Sequence, residues 1–363
     1  MCKVEYVNIR LKRTLPMTVS LPTPDPTVWI GIDIAKLTFD ACLLRPTGKP
    51  LVKQFANNAA GFAKLQRWIA ALTAPATPHF CMEATGSYYL ACALFLTEAQ
   101  QTVSVINPAR IKYAGFAYGQ GNKTDQADAH TLAQFGRKEQ PALWRAAAPE
   151  VRLLVALLRR VDSLQAQHVA EQNRLQDPGL LDAVRTSVQA SLDFLGAEMA
   201  RLQEQIQDHI AGHPALKADK ELLLSIPGIG ATTAHWLLAE LPDVKEFGSA
   251  QAAAAFAGLN PCEYQSGTSV KRKTRLSKHG NVYLRKCLYL PAMTAKRFNP
   301  CVAALCARLQ ARGLAPKAII GAAMRKLLML AYGVLRTQTP WDAQWHPTAL
   351  ALAAAERGQA LEA

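Results

Sequence analysis

Val28-Trp29-Ile30-Gly31-Ile32-Asp33 is the stretch on which the fold turns. Five largely apolar, strand-forming residues run into a carboxylate, the pattern of a buried strand that delivers an acid to a sheet edge. Downstream, Thr38–Leu44 reads as a second strand, Pro46-Thr47-Gly48-Lys49 as a turn and Leu51–Phe55 as a third strand. Asn57 or Asn58 can cap a helix running to about Leu72, with Phe62, Leu65, Trp68 and Ile69 on one side. A strand at His79–Met82, a helix at Tyr88–Ala99 and a strand at Thr102–Ile106 follow. Pro108 opens another helix, and Gly-Gln-Gly-Asn-Lys-Thr at 119–124 breaks the chain before an Ala-rich helix over Asp125–Phe135.

Three early strands joined by tight turns, then alternating helix and strand, predict a mixed α/β sheet of ribonuclease-H-like order. A Rossmann start would need a glycine-rich turn after the first strand, where this chain has Ile34-Ala35-Lys36. The α/β domain is expected over 28–145, after a proline-containing extension at 1–27. Residues 146–216 show helical spacing at Leu154, Leu158, Val161 and Leu164, a break at Pro178-Gly179, and a second run through Leu192, Leu195, Met199, Leu202 and Ile206. That pattern predicts a long helical hairpin or coiled coil, packed internally or used as a dimer arm. A mostly helical domain is expected over 217–336, and 337–363 is an Ala-rich tail.

The chain has 363 residues, with 41 Lys+Arg against 27 Asp+Glu and a formal charge of +14. This surplus favours polyanions, nucleic acid foremost. The eight cysteines include no C-x-x-C pair, which speaks against zinc and for reduced thiols in a cytoplasmic protein. A signal-peptide pattern and an uncharged membrane-length stretch are both missing, so no membrane role is expected.

Only seven acidic residues lie between Trp29 and Glu139, and four occupy special places. Asp33 and Glu83 end predicted strands, while Asp125 and Asp128 are spaced to share one helix face. If the strands are neighbours and the helix crosses them, the four carboxylates meet at one sheet edge. Their mutual repulsion would then be relieved by a divalent cation, and all-oxygen ligation suits Mg²⁺ or Mn²⁺. Two such ions roughly 4 Å apart can assist phosphodiester chemistry. Each acid also has a plainer reading. Asp33 can cap a turn, Glu83 can face solvent, Asp125 can be a helix N-cap and Asp128 can complement the helix dipole. Lys123 can touch phosphate or simply sit in solvent.

At these residues the chain resembles the insertion-sequence-110 family of transposases, the bridge-RNA-guided recombinases. The likeness is carried by Trp29–Lys36, by Glu83-Ala84-Thr85-Gly86-Ser87-Tyr88-Tyr89, by Val105-Ile106-Asn107-Pro108 and by Lys123-Thr124-Asp125-Gln126-Ala127-Asp128-Ala129. A second block begins at Leu223-Leu224-Ser225-Ile226-Pro227-Gly228-Ile229-Gly230, which by itself reads as a helix-hairpin-helix turn whose glycines admit phosphate. It continues through Phe256–Pro261, Tyr264–Ser269 and Arg275–Asn281. Residues 261–297 hold nine Lys/Arg and one acid, Glu263, a basic segment suited to phosphates. Tyr264 and Tyr283 are equally open to stacking on bases and to packing.

The resemblance implies a RuvC-like domain with a catalytic and metal-binding Asp-Glu-Asp-Asp set at Asp33, Glu83, Asp125 and Asp128. It also implies a serine nucleophile from the second block. Ser266 fits best by position, with Ser269 and then Ser277 as alternatives, and Arg275 or Lys278 would steady phosphate charge. The implied partners are donor and target DNA, a structured noncoding bridge RNA, and further copies of the chain as homodimer or homotetramer. A metal-dependent junction resolvase or nuclease acting by hydrolysis is the competing enzyme reading, and a non-catalytic nucleic-acid-binding protein is a third. The first would explain the acids but leave the serine segment without a role.

Overall fold

The computed structural model describes residues 27–45, 47–73, 76–84, 86–119, 124–241, 243–266, 270–271 and 274–342. The extension ahead of Thr27, Lys123, and the tail from 343 onward lie outside them. The chain divides into two compact units, Met1–Ala146 and Ala147–Ala363.

The first unit is a five-stranded mixed sheet. Its strands are β1 (Thr27–Ile34), β2 (Thr38–Leu43), β3 (Leu51–Ala56), β4 (Thr77–Glu83) and β5 (Thr102–Ile106). Their order is β3-β2-β1-β4-β5, antiparallel from β3 to β1 and parallel from β1 to β5. The helices are α1 (Ala59–Thr73), α2 (Tyr89–Glu98), α3 (Pro108–Ala117) and α4 (Asp125–Glu139). Asn58 starts α1 by accepting from the Gly61 N–H at 3.0 Å.

Strand alternation gives the sheet two different faces. Ile30, Ile32, Phe39, Phe80, Met82 and Val103 form the larger core with Phe62, Leu65, Ile69 and Leu96 of α1 and α2. The residues between them, Trp29, Cys42 and Cys81, meet Ala129, Leu132, Ala133 and Phe135 of α4. Two glycines let α4 sit down on this second face. A β-carbon on Gly31 would meet the Ala129 carbonyl oxygen at 1.9 Å, and one on Gly136 would meet Cys81 Sγ and the Trp29 ring at 2.6 Å.

The second unit is mainly helical, with α5 (Pro149–Leu175), α6 (Asp182–Ala211), α7 (Pro214–Leu224), α8 (Ala231–Glu240) and α9 (Ala250–Phe256). Two short strand pairs follow, β6 (Pro261–Cys262) with β9 (Arg275–Leu276) and β7 (Gln265–Ser266) with β8 (Val270–Lys271). Then come α10 (Val282–Phe298), α11 (Pro300–Ala311) and α12 (Pro316–Thr337). α5 and α6 form the hairpin, closed by Leu164, Leu195 and Leu202. α12 is long and apolar enough to cross a membrane by length and composition, yet 67% of its most apolar window is buried inside this unit. Leu327, Leu328 and Ala331 of α12 lie at the centre of the unit's core.

Candidate active site

In the first unit the four predicted acids reach one region by three routes. Asp33 lies near the end of β1, with Asp40 directly opposite on β2. The parallel register pairs Ile32 with Met82, which leaves Asp33 and Glu83 as the next residues on adjacent strands. Asp125 and Asp128 form the first turn of α4. Because Gly31 seats that helix on β1, its first turn falls beside Asp33. Burial and then the charges of Asp128, Asp125, Glu83 and Asp40 push the Asp33 carboxyl from 3.8 up to about 6. Burial and crowded negative charge both oppose ionisation.

Capping of α4 differs from the plainer reading of Asp125. Thr124 is the N-cap, its hydroxyl accepting from the Ala127 N–H at 3.2 Å. Asp125, one residue inside the helix, is exposed, while Asp128, Glu83 and Asp33 are half-buried. Among the described residues, no three His, Cys, Asp or Glu side chains stand close enough to hold a metal ion. The acids therefore share an electrostatic neighbourhood without forming a coordination shell.

Asp40 was absent from the sequence-derived site. It is 4% exposed, and Gln54 Nε2 of β3 donates to its Oδ2 at 3.0 Å. Only the cross-strand register reveals it, since in sequence it is one polar residue within an apolar strand. Cys42 and Cys81 line the same face as small apolar groups, their thiols pushed up to about 12 by burial.

In the second unit, Ser266 pairs through its backbone with Val270. Its side chain, Ser269, and the side chains of Lys271, Arg272 and Lys273 lie outside the described residues. Ser277 is engaged structurally, its hydroxyl donating to Asn260 Oδ1 at 2.6 Å. Arg275 and Lys278 are exposed. The basic segment is less uniformly available than its composition predicts. Arg285 donates to the carbonyls of Ala257 and Gly280 at 2.9 and 3.0 Å, and Lys286 pairs with Asp162 of α5.

Tyr283 has a packing role. Its ring stacks on Trp236 at 5.3 Å, with the Arg159 guanidinium 4.8 Å from its centroid. The two glycines of the 226–230 turn also divide their work. Gly228 has φ +104°, and a β-carbon there would meet Ala295 of α10 at 2.6 Å, so it serves helix packing. Gly230 faces open space immediately before α8, where a phosphate could approach.

Glu240 at the end of α8 was also missed in the sequence. It is 7% exposed, receives Arg159 at 2.9 and 3.2 Å, and accepts from Asn281 Nδ2 at 2.8 Å. Asn281 in turn caps α10 by accepting from the Tyr283 and Leu284 N–H groups.

Comparison with known proteins accounts for both units. Residues 220–307 match the Transposase IS116/IS110/IS902 family, and residues 30–185 match the DEDD-type IS110 transposases. The pilin gene-inverting proteins of Moraxella bovis and Moraxella lacunata are each 35% identical over 321 residues, covering 88% of this chain and 98% of the relative. The transposase for insertion sequence element IS1111A of Coxiella burnetii is 26% identical, over 71% of this chain and 75% of the relative. The DEDD match implies a divalent metal, and the all-oxygen donors near Asp33 have the right chemistry for a hard ion. The chain belongs to the IS110 family of transposases, enzymes that recombine DNA.

Proposed function

We propose that this transposase cuts and rejoins donor and target DNA through a serine–phosphate intermediate, guided by a structured bridge RNA. The observation that carries the catalytic reading is Asp33, whose carboxyl is pushed up to about 6 within a field of other acids. Asp33, Glu83, Asp125 and Asp128 would hold Mg²⁺ or Mn²⁺ in a RuvC-like domain over 28–145. The bound ion would supply Lewis-acid stabilisation of the charge that develops on a phosphodiester. Asp128, Asp125, Glu83 and Asp40 all crowd negative charge onto Asp33. Such an arrangement is suited to a cation.

Ser266 is the proposed nucleophile, with Ser269 as the alternative. Its Oγ forms a bond to phosphorus while the bond from phosphorus to the 3′-oxygen breaks. The hydroxyl proton is lost as the leaving oxygen takes one up, so a phosphoserine linkage and a free 3′-hydroxyl result. Attack by a 3′-hydroxyl of the exchanged strand reverses the step and releases the serine. Arg275 and Lys278, both exposed, would steady phosphate charge.

The domain at 217–336 would carry the serine and the helix-hairpin-helix-like turn, with Gly230 open to phosphate. The hairpin at 146–216 would join copies into a homodimer or homotetramer. Exposed Val169, Leu181, Val184 and Phe194 support that use. The relatives named as gene-inverting proteins favour recombination between defined sites. The proposed setting is the cytoplasm, on chromosomal DNA, without a membrane partner.

The test incubates the protein with element DNA, target DNA, element RNA and Mg²⁺, then maps any denaturation-resistant DNA adduct by mass spectrometry. An adduct on Ser266, lost in Ser266→Ala, is expected. Cleavage without an adduct would select the hydrolytic nuclease instead, and an adduct retained in both Ser266→Ala and Ser269→Ala would overturn the nucleophile assignment. Recombination that is unchanged without RNA would overturn guidance.

A further inference from the structure

We infer a second DNA contact in the first unit: a groove between the edge strand β3 and helix α1 that takes a single strand of DNA. The inference rests on the family's action on DNA and is independent of the serine and metal assignments. The groove encloses about 760 Å³ and is lined by Lys53, Gln54 and Phe55 of β3 and by Lys64, Arg67 and Trp68 of α1. β3 is the terminal strand of the sheet order among the described residues.

Two features identify the occupant. The first is charge: among the described residues, Lys53, Lys64 and Arg67 line the groove, no carboxylate does, and none of the three enters an ion pair. Lys64 and Arg67 are three apart on α1, which places them on one face opposite Lys53. The second is aromatic surface. Half-buried Trp68 lies 5.7 Å from the Phe55 ring, and Lys53 Nζ sits 5.6 Å above that ring. Phe55 is itself buried, so Trp68 is the ring a base could reach. Cations beside it suit a polynucleotide whose base faces are free, because phosphates meet the cations and a base stacks on the indole. Duplex DNA keeps its base faces stacked internally and could use only the charges.

The groove is also tied to the acidic region through β3 itself. Gln54 lies between Lys53 and Phe55, and its side-chain amide holds buried Asp40, the residue opposite Asp33. Gln54 points to the opposite sheet face from Lys53 and Phe55, so the groove and the acids are linked only through the backbone of β3. This groove is legible in sequence only as two separated basic residues on a helix and one on a strand.

The test measures fluorescence anisotropy of a labelled single-stranded DNA oligonucleotide with the full-length protein across a salt series. Removing all three cations in Lys53→Ala/Lys64→Ala/Arg67→Ala should reduce the slope of log affinity against log salt by about 2, from roughly 0.7 per phosphate contact. Affinity should fall about tenfold at moderate salt. The charge-keeping Lys53→Arg/Lys64→Arg/Arg67→Lys should hold the wild-type slope, and Trp68→Leu should weaken binding with the slope unchanged. An unchanged slope in the triple alanine variant, or an equal loss with duplex DNA, would overturn the groove. So would loss of slope in the charge-keeping variant. A loss confined to single-stranded RNA would overturn DNA as the occupant. Asp33→Asn is measured alongside: it should bind the strand undiminished while failing to cleave, so failure of the catalytic reading shows separately.

Discussion

Gly31 lies so tightly beneath Ala129 that a β-carbon on it would stand 1.9 Å from the Ala129 carbonyl oxygen. The contact is between backbones, so it fixes where α4 rests on β1. Gly136 and Trp29 make a second close approach further along the helix. With these seats set, Asp125 and Asp128 begin the helix at the Asp33 end of the strand.

Gly31→Ala should therefore displace α4 and lower stability by about 3 kcal/mol, toward the upper end for overpacking. Denaturant midpoints measure the loss. DNA cleavage should fall more steeply than the folded fraction, because the Asp125–Asp128 turn moves with the helix. A variant as stable and active as the parent would show that the close seat has no role.

Asp33→Asn should abolish DNA cleavage while stabilising the chelator-treated protein. Because the folded carboxyl is held up to about 6 against an ordinary 3.8, its favourable contribution is complete below pH 3.8 and is lost as pH rises through about 6. The full shift corresponds to roughly 3 kcal/mol, reduced by solvent screening at this half-buried side chain to on the order of 1–2 kcal/mol. Urea titrations at pH 4 and pH 7 should show the parent losing this amount between them and Asp33→Asn losing much less.

Gln54→Leu should leave the buried Asp40 carboxylate without its amide donor. Stability should fall by about 1–3 kcal/mol, the usual consequence of an unsatisfied buried polar group. Asp40→Asn in the same background should recover most of the loss, since a neutral amide has no charge to shelter. A double-mutant cycle by thermal melting reads the coupling.

His235 predicts the opposite pH trend in the second unit. Burial, and then Lys220, hold its imidazole down to about 4 from 6.5, and its Nε2 is buried with no hydrogen-bond partner among the described residues. The unfolded chain takes up this proton first, so stability is lost as pH falls from 6.5 through about 4. His235→Leu should remove on the order of 2 kcal/mol of that acid sensitivity. Melting temperatures of the two proteins should converge in acid or cross there.

The strands and helices of the first unit were readable because strand alternation and helix breaks coincide with strong local signals. Val28–Asp33 is apolar to its last residue, and Pro108 and Thr124 each mark a helix start. The four acids were readable for the same reason, as charges at element ends in a stretch poor in acids. Asp40 was not, because its partner Asp33 is set by hairpin register and its donor Gln54 by a second register. Composition also overstated the basic segment, since whether Arg285 meets phosphate or backbone carbonyls depends on folding around Ala257 and Gly280. Glu240 was hidden because its partners are 81 and 41 residues away.

That buried carboxylate has a consequence for how the second unit comes apart. Arg159 on α5 and the Asn281 cap of α10 both rely on the same Glu240. If either helix detached alone, Glu240 would lose part of its shelter while still enclosed by the other. Partial opening is thus penalised, and the base of the hairpin and the start of α10 should open as one cooperative unit. Amide hydrogens around Arg159 and Leu284 should then exchange with a common opening free energy, despite lying more than a hundred residues apart in the chain.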